Sequence, residues 1–340
     1  MKKHITIFII ISILLFNCIF IGCSSLKTSG ANEKKKPVIG VVMGKFDDTW
    51  RTSVRNEIYK MGENNAEVDI WNADSSQKTE DEKVDGLIKR KVDVLVVNLV
   101  DTSKASNVID KAEKADIPVI FFNTEPSSKD LKKWDKVYYV GAKGEQSGIM
   151  QGEMLINYFK SHPTKDGIIR YVMLKGQEGH PDTLSRTKYS VKVMEDAGLK
   201  LQKIAEGTAS WERENGEQEM GKFLDEQDGS IDCVISNNDD MAMGAIDALK
   251  NKGYFKDGKY VPVVGVDATT AAINSIKEGA LLGTVLNDYK NQAKAVFNLA
   301  VVLANGKTPT EENIKYAITD NKYVWVDYKM IAKGNTDDVK

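Results

Sequence analysis

Short apolar runs of strand length alternate with longer segments of helical spacing along almost the whole chain, and this alternation limits the fold more than any other feature. The spacing predicts strands over 37–43, 67–71, 92–99, 118–122 and 136–141, separated by helices over 50–65, 78–91 and 103–114. Val54, Ile58 and Met61 share one helical side, as do Val84, Leu87 and Ile88. The run 92–99, by contrast, is almost wholly apolar, as a strand covered on both faces is. The pattern then restarts, with helices over 145–158, 183–197, 215–227, 240–252 and 269–277 alternating with strands over 167–174, 201–206, 233–236, 261–266 and 283–286. A helix over 291–304 and a strand-like piece over 323–326 follow. Such alternation calls for parallel sheets with helices on both faces. Two successive sets predict an α/β protein of two doubly wound domains, with a late element able to return to the first.

The first residues belong to a different register. Lys2 and Lys3 precede an apolar run over 5–21 interrupted by Asn17, and Gly22-Cys23 follows at once. A charged start, an apolar stretch and a small residue before a cysteine resemble a lipoprotein signal peptide. That resemblance implies cleavage of 1–22, a diacylglycerol anchor on Cys23 and a polar tether over 23–36. The apolar run is short for a membrane span, which needs ~20 such residues. A 340-residue chain less this leader still has room for two domains, at ~150 residues each.

Of three cysteines, Cys18 leaves with the leader and Cys23 carries the lipid, so Cys233 stands alone in an apolar segment and no disulfide framework is available. With 47 Lys plus Arg against 49 Asp plus Glu there is no basic field for nucleic acid, and the lysines at 34–36 and 132–136 read as solvated faces.

In open α/β sheets ligands bind beyond the carboxyl ends of the strands. Strand one ends in Lys45-Phe-Asp-Asp-Thr-Trp50, the strand at Phe121 in Asn123, and the strand at Leu174 in a loop carrying His180. The strand at Ile235 ends in Asn237-Asn238-Asp239, that at Val266 in Asp267 and that at Leu286 in Asn287-Asp288. The preference of Asn and Asp for turns accounts for about half of these six; the rest gather donors and acceptors. The stretch Gly176-Gln-Glu-Gly-His-Pro-Asp-Thr-Leu-Ser-Arg186 is the densest. A helix starting there puts the Asp182 carboxylate and the Arg186 guanidinium on one face, either to hold a polyol or as an N-cap aspartate with a surface ion pair.

Taken together, Phe46-Asp-Asp, Phe121-Phe-Asn123, Gly179-His-Pro-Asp182 with Arg186, Asn237-Asn-Asp-Asp-Met-Ala-Met-Gly244, Gly265-Val-Asp267 and Gly283-Thr-Val-Leu-Asn287 resemble the bacterial galactose/glucose-binding proteins. These are type I periplasmic sugar-binding proteins that feed ABC transporters, and the resemblance spans 37–326. It implies two lobes joined by three crossovers, here 37–141 plus 288–321 and 142–287 plus 322–335, with the sugar enclosed between them. The family's ligand pattern falls on Asp48, Asn123, His180, Asp182, Arg186, Asn238, Asp267 and Asn287, and its stacking aromatics on Trp50 and Trp211. A pyranose has C–H faces and a hydroxyl rim, so aromatic plates with acceptors and bidentate donors around the edge match it. By resemblance Asp48 accepts from the 4-hydroxyl, whose orientation separates glucose from galactose. The implied partners are a monosaccharide and a membrane permease. The protein is expected to be monomeric, extracytoplasmic and held to the membrane by its lipid.

Two positions depart from the family. Gly44 stands where a cleft tyrosine is usual, leaving room for water or a methyl aglycone. The family's calcium loop falls on His162, Thr164, Asp166, Ile168 and Arg170, with Asp232 for its distant glutamate. Ile168 has no ligating oxygen and Arg170 brings its own positive charge, so no metal and no other cofactor is expected, with Arg170 bracing Asp166 or Asp232 instead. An enzyme fits less well. The glycine turn of a dinucleotide fold and the Gly-x-Ser-x-Gly elbow of a hydrolase are absent from the sequence. A sugar-sensing regulator would open with a helix-turn-helix. The other reading is a protein that binds another sugar or a signalling ligand and reports to a surface receptor.

Overall fold

Every predicted strand of the first set forms, and its burial explains its place. In a computed structural model that describes residues 36–226 and 230–339, the chain runs β1 (Val38–Met43), α1 (Thr49–Asn65), β2 (Glu67–Asn72), α2 (Gln77–Lys89) and β3 (Val94–Asn98). It continues through α3 (Ala105–Lys114), β4 (Val119–Phe122), the short α4 (Ser128–Leu131) and β5 (Val137–Gly141). β3 and β4 are buried at every residue and lie in the middle of a parallel sheet ordered β11-β5-β4-β3-β1-β2, where β11 is Tyr323–Trp325. Side-chain caps begin the helices where the chain leaves the sheet: Asp48 accepts from the Arg51 N–H at 2.6 Å and Ser76 from that of Thr79 at 3.2 Å.

The second set comprises α5 (Gly144–Ser161), β6 (Ile168–Lys175), α6 (Pro181–Asp196), β7 (Lys200–Thr208), α7 (Arg213–Glu226), β8 (Cys233–Ser236) and α8 (Asp239–Asn251). β9 (Val263–Val264), α9 (Thr270–Glu278) and β10 (Gly283–Leu286) complete it. Its sheet is ordered β12-β10-β9-β8-β6-β7, with β12 (Lys329–Ala332) antiparallel to β10. α10 (Tyr289–Ala304) and the single turn α11 (Glu311–Ile314) return to the first lobe, where α10 packs on β1, β3, β4 and β5. Three crossovers therefore join the lobes, at 142–143, 287–288 and 326–328. Cys233 is buried at the start of β8, where burial pushes its thiol far above the usual range.

The structure corrects several expectations. β11 pairs with β5, so residues 322–325 belong to the first lobe and the last crossover lies beyond them, not before them. Where a strand over 261–266 was expected, β9 is only Val263–Val264, because Pro262 and Gly265 interrupt the run. The helix expected over 103–114 opens with a 3-10 turn, Thr102–Lys104. α4, α11 and β12 had no apolar period long enough to read. The leader, Cys23 and the tether up to residue 35 lie outside the described residues. No helix among the described residues is long and apolar enough to cross a membrane.

Candidate functional site

The ten residues named as sugar ligands or stacking aromatics sit beyond the carboxyl ends of the strands, in the loops and helix starts that follow them, and the lobes bring those ends face to face. The cleft between them holds about 350 Å³ of atom-free space, its solvent-open part included. Asp48, Trp50, Asn123, His180, Asp182, Arg186, Trp211, Asn238, Asp267 and Asn287 all line it, and Arg51 is the additional wall. An ion pair from Lys45 to Glu212 and a bond from the Thr49 hydroxyl to Asp240 Oδ1 at 3.1 Å join the lobes across the mouth.

The second lobe supplies the most rigid group. Arg186 Nη2 donates to Asp182 Oδ2 at 3.0 Å and to the Tyr328 hydroxyl at 3.0 Å, Nη1 to the Asn237 carbonyl at 2.8 Å, and Nε to Ser147 Oγ at 3.2 Å. Burial works against this cation, but Asp182, Tyr328 and Asp267 outweigh burial and hold it more firmly protonated than a free arginine. The surface reading of the pair fails on two observations. His180, not Asp182, caps α6, and Asp182 and Arg186 are 9% and 3% exposed. Glycines let α5 approach α6 this closely: a Cβ on Gly152 would lie 2.5 Å from the Ser190 carbonyl and one on Gly148 3.0 Å from that of Arg186.

His180 Nδ1 accepts the Asp182 N–H at 3.1 Å, so the neutral ring carries its proton on Nε2, 3.5 Å from the Thr124 hydroxyl of the first lobe. Burial lowers its pKa to about 4, which keeps the ring neutral near pH 7 and makes Nε2 a donor. The Trp211 indole stands edge-on to this ring at 5.2 Å between centroids and rests on Gly176, where a Cβ would sit 2.1 Å from it. Asn238 caps α8 through Met241 N–H at 3.0 Å and donates to the Trp211 carbonyl at 3.1 Å, which fixes that turn.

From the first lobe and the crossovers come the opposing groups. Trp50 Nε1 donates to the Asn287 carbonyl at 2.8 Å, so the indole is pinned to a crossover. Asn287 Nδ2 donates to Asp267 Oδ1 at 3.2 Å, and burial raises the Asp267 carboxyl well above its usual range despite Arg186 nearby. Asp48 forms an ion pair with Arg51, whose Nε donates to Asn98 Oδ1 at 2.8 Å. Asn98 in turn donates to Asn123 Oδ1 at 3.3 Å. Asn123, Trp211 and Asp267 have φ of +60°, +75° and +121°, conformations that non-glycine residues rarely adopt and that gather at ligand clamps.

Sequence reasoning missed Arg51, although its i+3 spacing from Asp48 on a helix was visible. It also missed the supports Asn98, Ser147 and Tyr328, which come from a buried strand, a helix interior and the last crossover and carry no local signal. At the calcium-loop positions Arg170 pairs with Asp166, donates its backbone N–H to Asp232 Oδ2 at 2.8 Å and sets its guanidinium 3.7 Å from the same oxygen. The bond from Arg170 lowers Asp166 to about 2. His162 stacks on Tyr158 at 4.4 Å. A guanidinium between the two carboxylates and an apolar Ile168 do not fit a calcium ion, which needs 6–8 oxygens.

A family model described as a periplasmic binding protein domain matches residues 39–308. The D-galactose/methyl-galactoside binding periplasmic protein of Haemophilus influenzae is 36% identical, over 88% of this chain and 91% of its own. The ribose import binding protein of Bacillus subtilis is 27% identical, over 90% and 95%. Among solved structures, an ABC transporter solute binding protein from Bacillus halodurans with bound myo-inositol has a TM-score of 0.76 and 28% identity, covering 90% of this chain and 98% of its own.

Proposed function

Because the chain belongs to the periplasmic binding proteins and is an extracytoplasmic sugar-binding component of an ABC transporter, not an enzyme, we propose that its ligand is galactose or glucose, with methyl galactoside also accepted. The cleft itself carries this reading. Two indoles from opposite lobes offer apolar surface to the ring faces, while neutral His180 Nε2–H, the fixed Arg186, and the carboxylates of Asp48, Asp182 and Asp267 offer donors and acceptors to a hydroxyl rim.

Recognition then works by closure. Asp48 and Asn123 meet the sugar from one lobe, and His180, Asp182, Arg186, Asn238 and Asp267 from the other. Hinging at 142–143, 287–288 and 326–328 excludes water from these bonds. The closed form is what a membrane permease recognises. A lipid on Cys23 would keep this monomeric receptor at the membrane.

Titration calorimetry with galactose, glucose, ribose and methyl galactoside, run beside Asp182→Ala, tests the assignment. Enthalpy-driven binding of galactose or glucose that the variant loses is the expected result. A variant that binds as the parent does would overturn the site, and silence toward all four sugars would overturn the ligand.

A further inference from the structure

Beside the sugar cavity lies a second chamber of about 770 Å³, solvent-open part included, which shares Arg51, His180 and Trp211 with it. Gly44 is part of its wall, and a Cβ there would lie 3.3 Å from the Asn98 carbonyl. Both lobes build it, with Ser75 and Val100 from the first and Gln177 and Ser210 from the second, and the Lys45 to Glu212 ion pair spans its mouth. The chamber therefore forms on the same closure as the sugar cavity.

Its chemistry points to a neutral polyhydroxyl group. Lys45 and Arg51 are already paired with Glu212 and Asp48, so no free charge invites an anion. What remains are hydroxyls, a side-chain amide, and the apolar surface of Val100 and the Trp211 indole. Ser75, Ser210 and Trp211 hold φ of +55°, +51° and +75°, so three of its walls sit in conformations that are costly for non-glycine residues.

We infer that this chamber is a subsite for a second sugar ring, joined to the bound hexose through a rim oxygen on the side of the Arg51, His180 and Trp211 walls that the two cavities share, so that the protein also captures disaccharides. The inference rests on the hexose reading above, and the experiment separates the two. Galactose, glucose, lactose, cellobiose, melibiose and isomaltose are titrated by calorimetry into the parent protein and into Val100→Trp and Gly44→Leu, which fill the chamber from different walls; thermal melting checks that each variant folds.

At least one disaccharide should bind within about tenfold of the better hexose, a gap of ~1.4 kcal/mol. Val100→Trp should weaken that disaccharide by about twentyfold or more while the hexose changes by less than about threefold, because the added ring clashes only with the second unit. If the hexoses bind and all four disaccharides fail, the subsite is overturned and the hexose reading stands. If a disaccharide binds and neither filled variant weakens it, the subsite is overturned as well. If neither hexose nor disaccharide binds, both fall together. Should one variant not fold, the other decides.

Discussion

Arg186 shows what a single residue has to satisfy here. Its guanidinium is bonded to Asp182, Tyr328, Asn237 and Ser147 before any ligand arrives, so it meets a sugar with little entropy left to lose. Truncating it leaves Asp182 buried without its cation. Arg186→Ala should therefore cost galactose or glucose affinity about 3 kcal/mol or more, measured by calorimetry, and Arg186→Lys should not restore it, since an ammonium cannot reach four partners in one plane. Asp239 is the other instructive residue. It accepts from the Thr284 hydroxyl at 2.6 Å and the Thr269 N–H at 2.8 Å, yet burial raises its carboxyl to about 7. The folded state thus binds a proton that the unfolded chain has released above about pH 4, and stability falls as pH rises toward 7. Asp239→Asn keeps the shape without the titration. The melting temperature of the variant relative to the parent should rise between pH 4 and pH 8, and a constant difference would disprove the linkage.

Helix starts and strand ends do the positioning. Asp48, His180 and Asn238 each cap a helix and line the cleft, so the groups that satisfy backbone N–H donors at the termini also stand where a ligand enters. The loop after β6 shows how little room is spare. The Trp211 indole rests on Gly176, and an added methyl would overlap it. Gly176→Ala should tilt the ring and weaken sugar binding by about tenfold, or ~1.4 kcal/mol, with a smaller change in melting temperature; unchanged affinity in calorimetry would show that the plate is not used. Gly148 and Gly152 act one layer out. Alanine at Gly152 must push α5 off α6, which should lower stability by about 1–3 kcal/mol in chemical denaturation.

Among the described residues, the two lobes meet mainly across the cleft and through three short crossovers, so ligand binding and lobe closure are one event. Sugar at about a hundred times its dissociation constant should stabilise the folded protein by ~2.7 kcal/mol, and small-angle scattering should show the radius of gyration fall on adding it. Calcium should do neither. With Arg170 already between Asp166 and Asp232, millimolar calcium or a chelator should leave the melting temperature unchanged, and a rise with calcium would contradict that reading.

Much of this architecture follows from local patterning. The alternation of buried strands with amphipathic helices was enough for a pair of parallel sheets, because strand and helix periods are properties of neighbouring residues. The polar ends of β1, β4, β6, β8 and β10 were equally visible, since each interrupts an apolar run at a place where turns favour Asn and Asp. What no stretch of sequence carries is a contact between residues far apart in the chain. β11 lies against β5 through registers from Tyr323↔Tyr139 onward, and β12 runs antiparallel beside β10; three- and four-residue strands choose their sheet by where the last crossover delivers them. The same holds for Arg51 reaching Asn98, for Tyr328 reaching Arg186, and for the chamber above Gly44. The ten cleft residues were named by resemblance to a sugar-binding family, at strand ends that the sequence already showed to be polar, but that they face one another across one cavity was decided by the packing of two lobes, because a cavity has no representation in the order of residues along a chain.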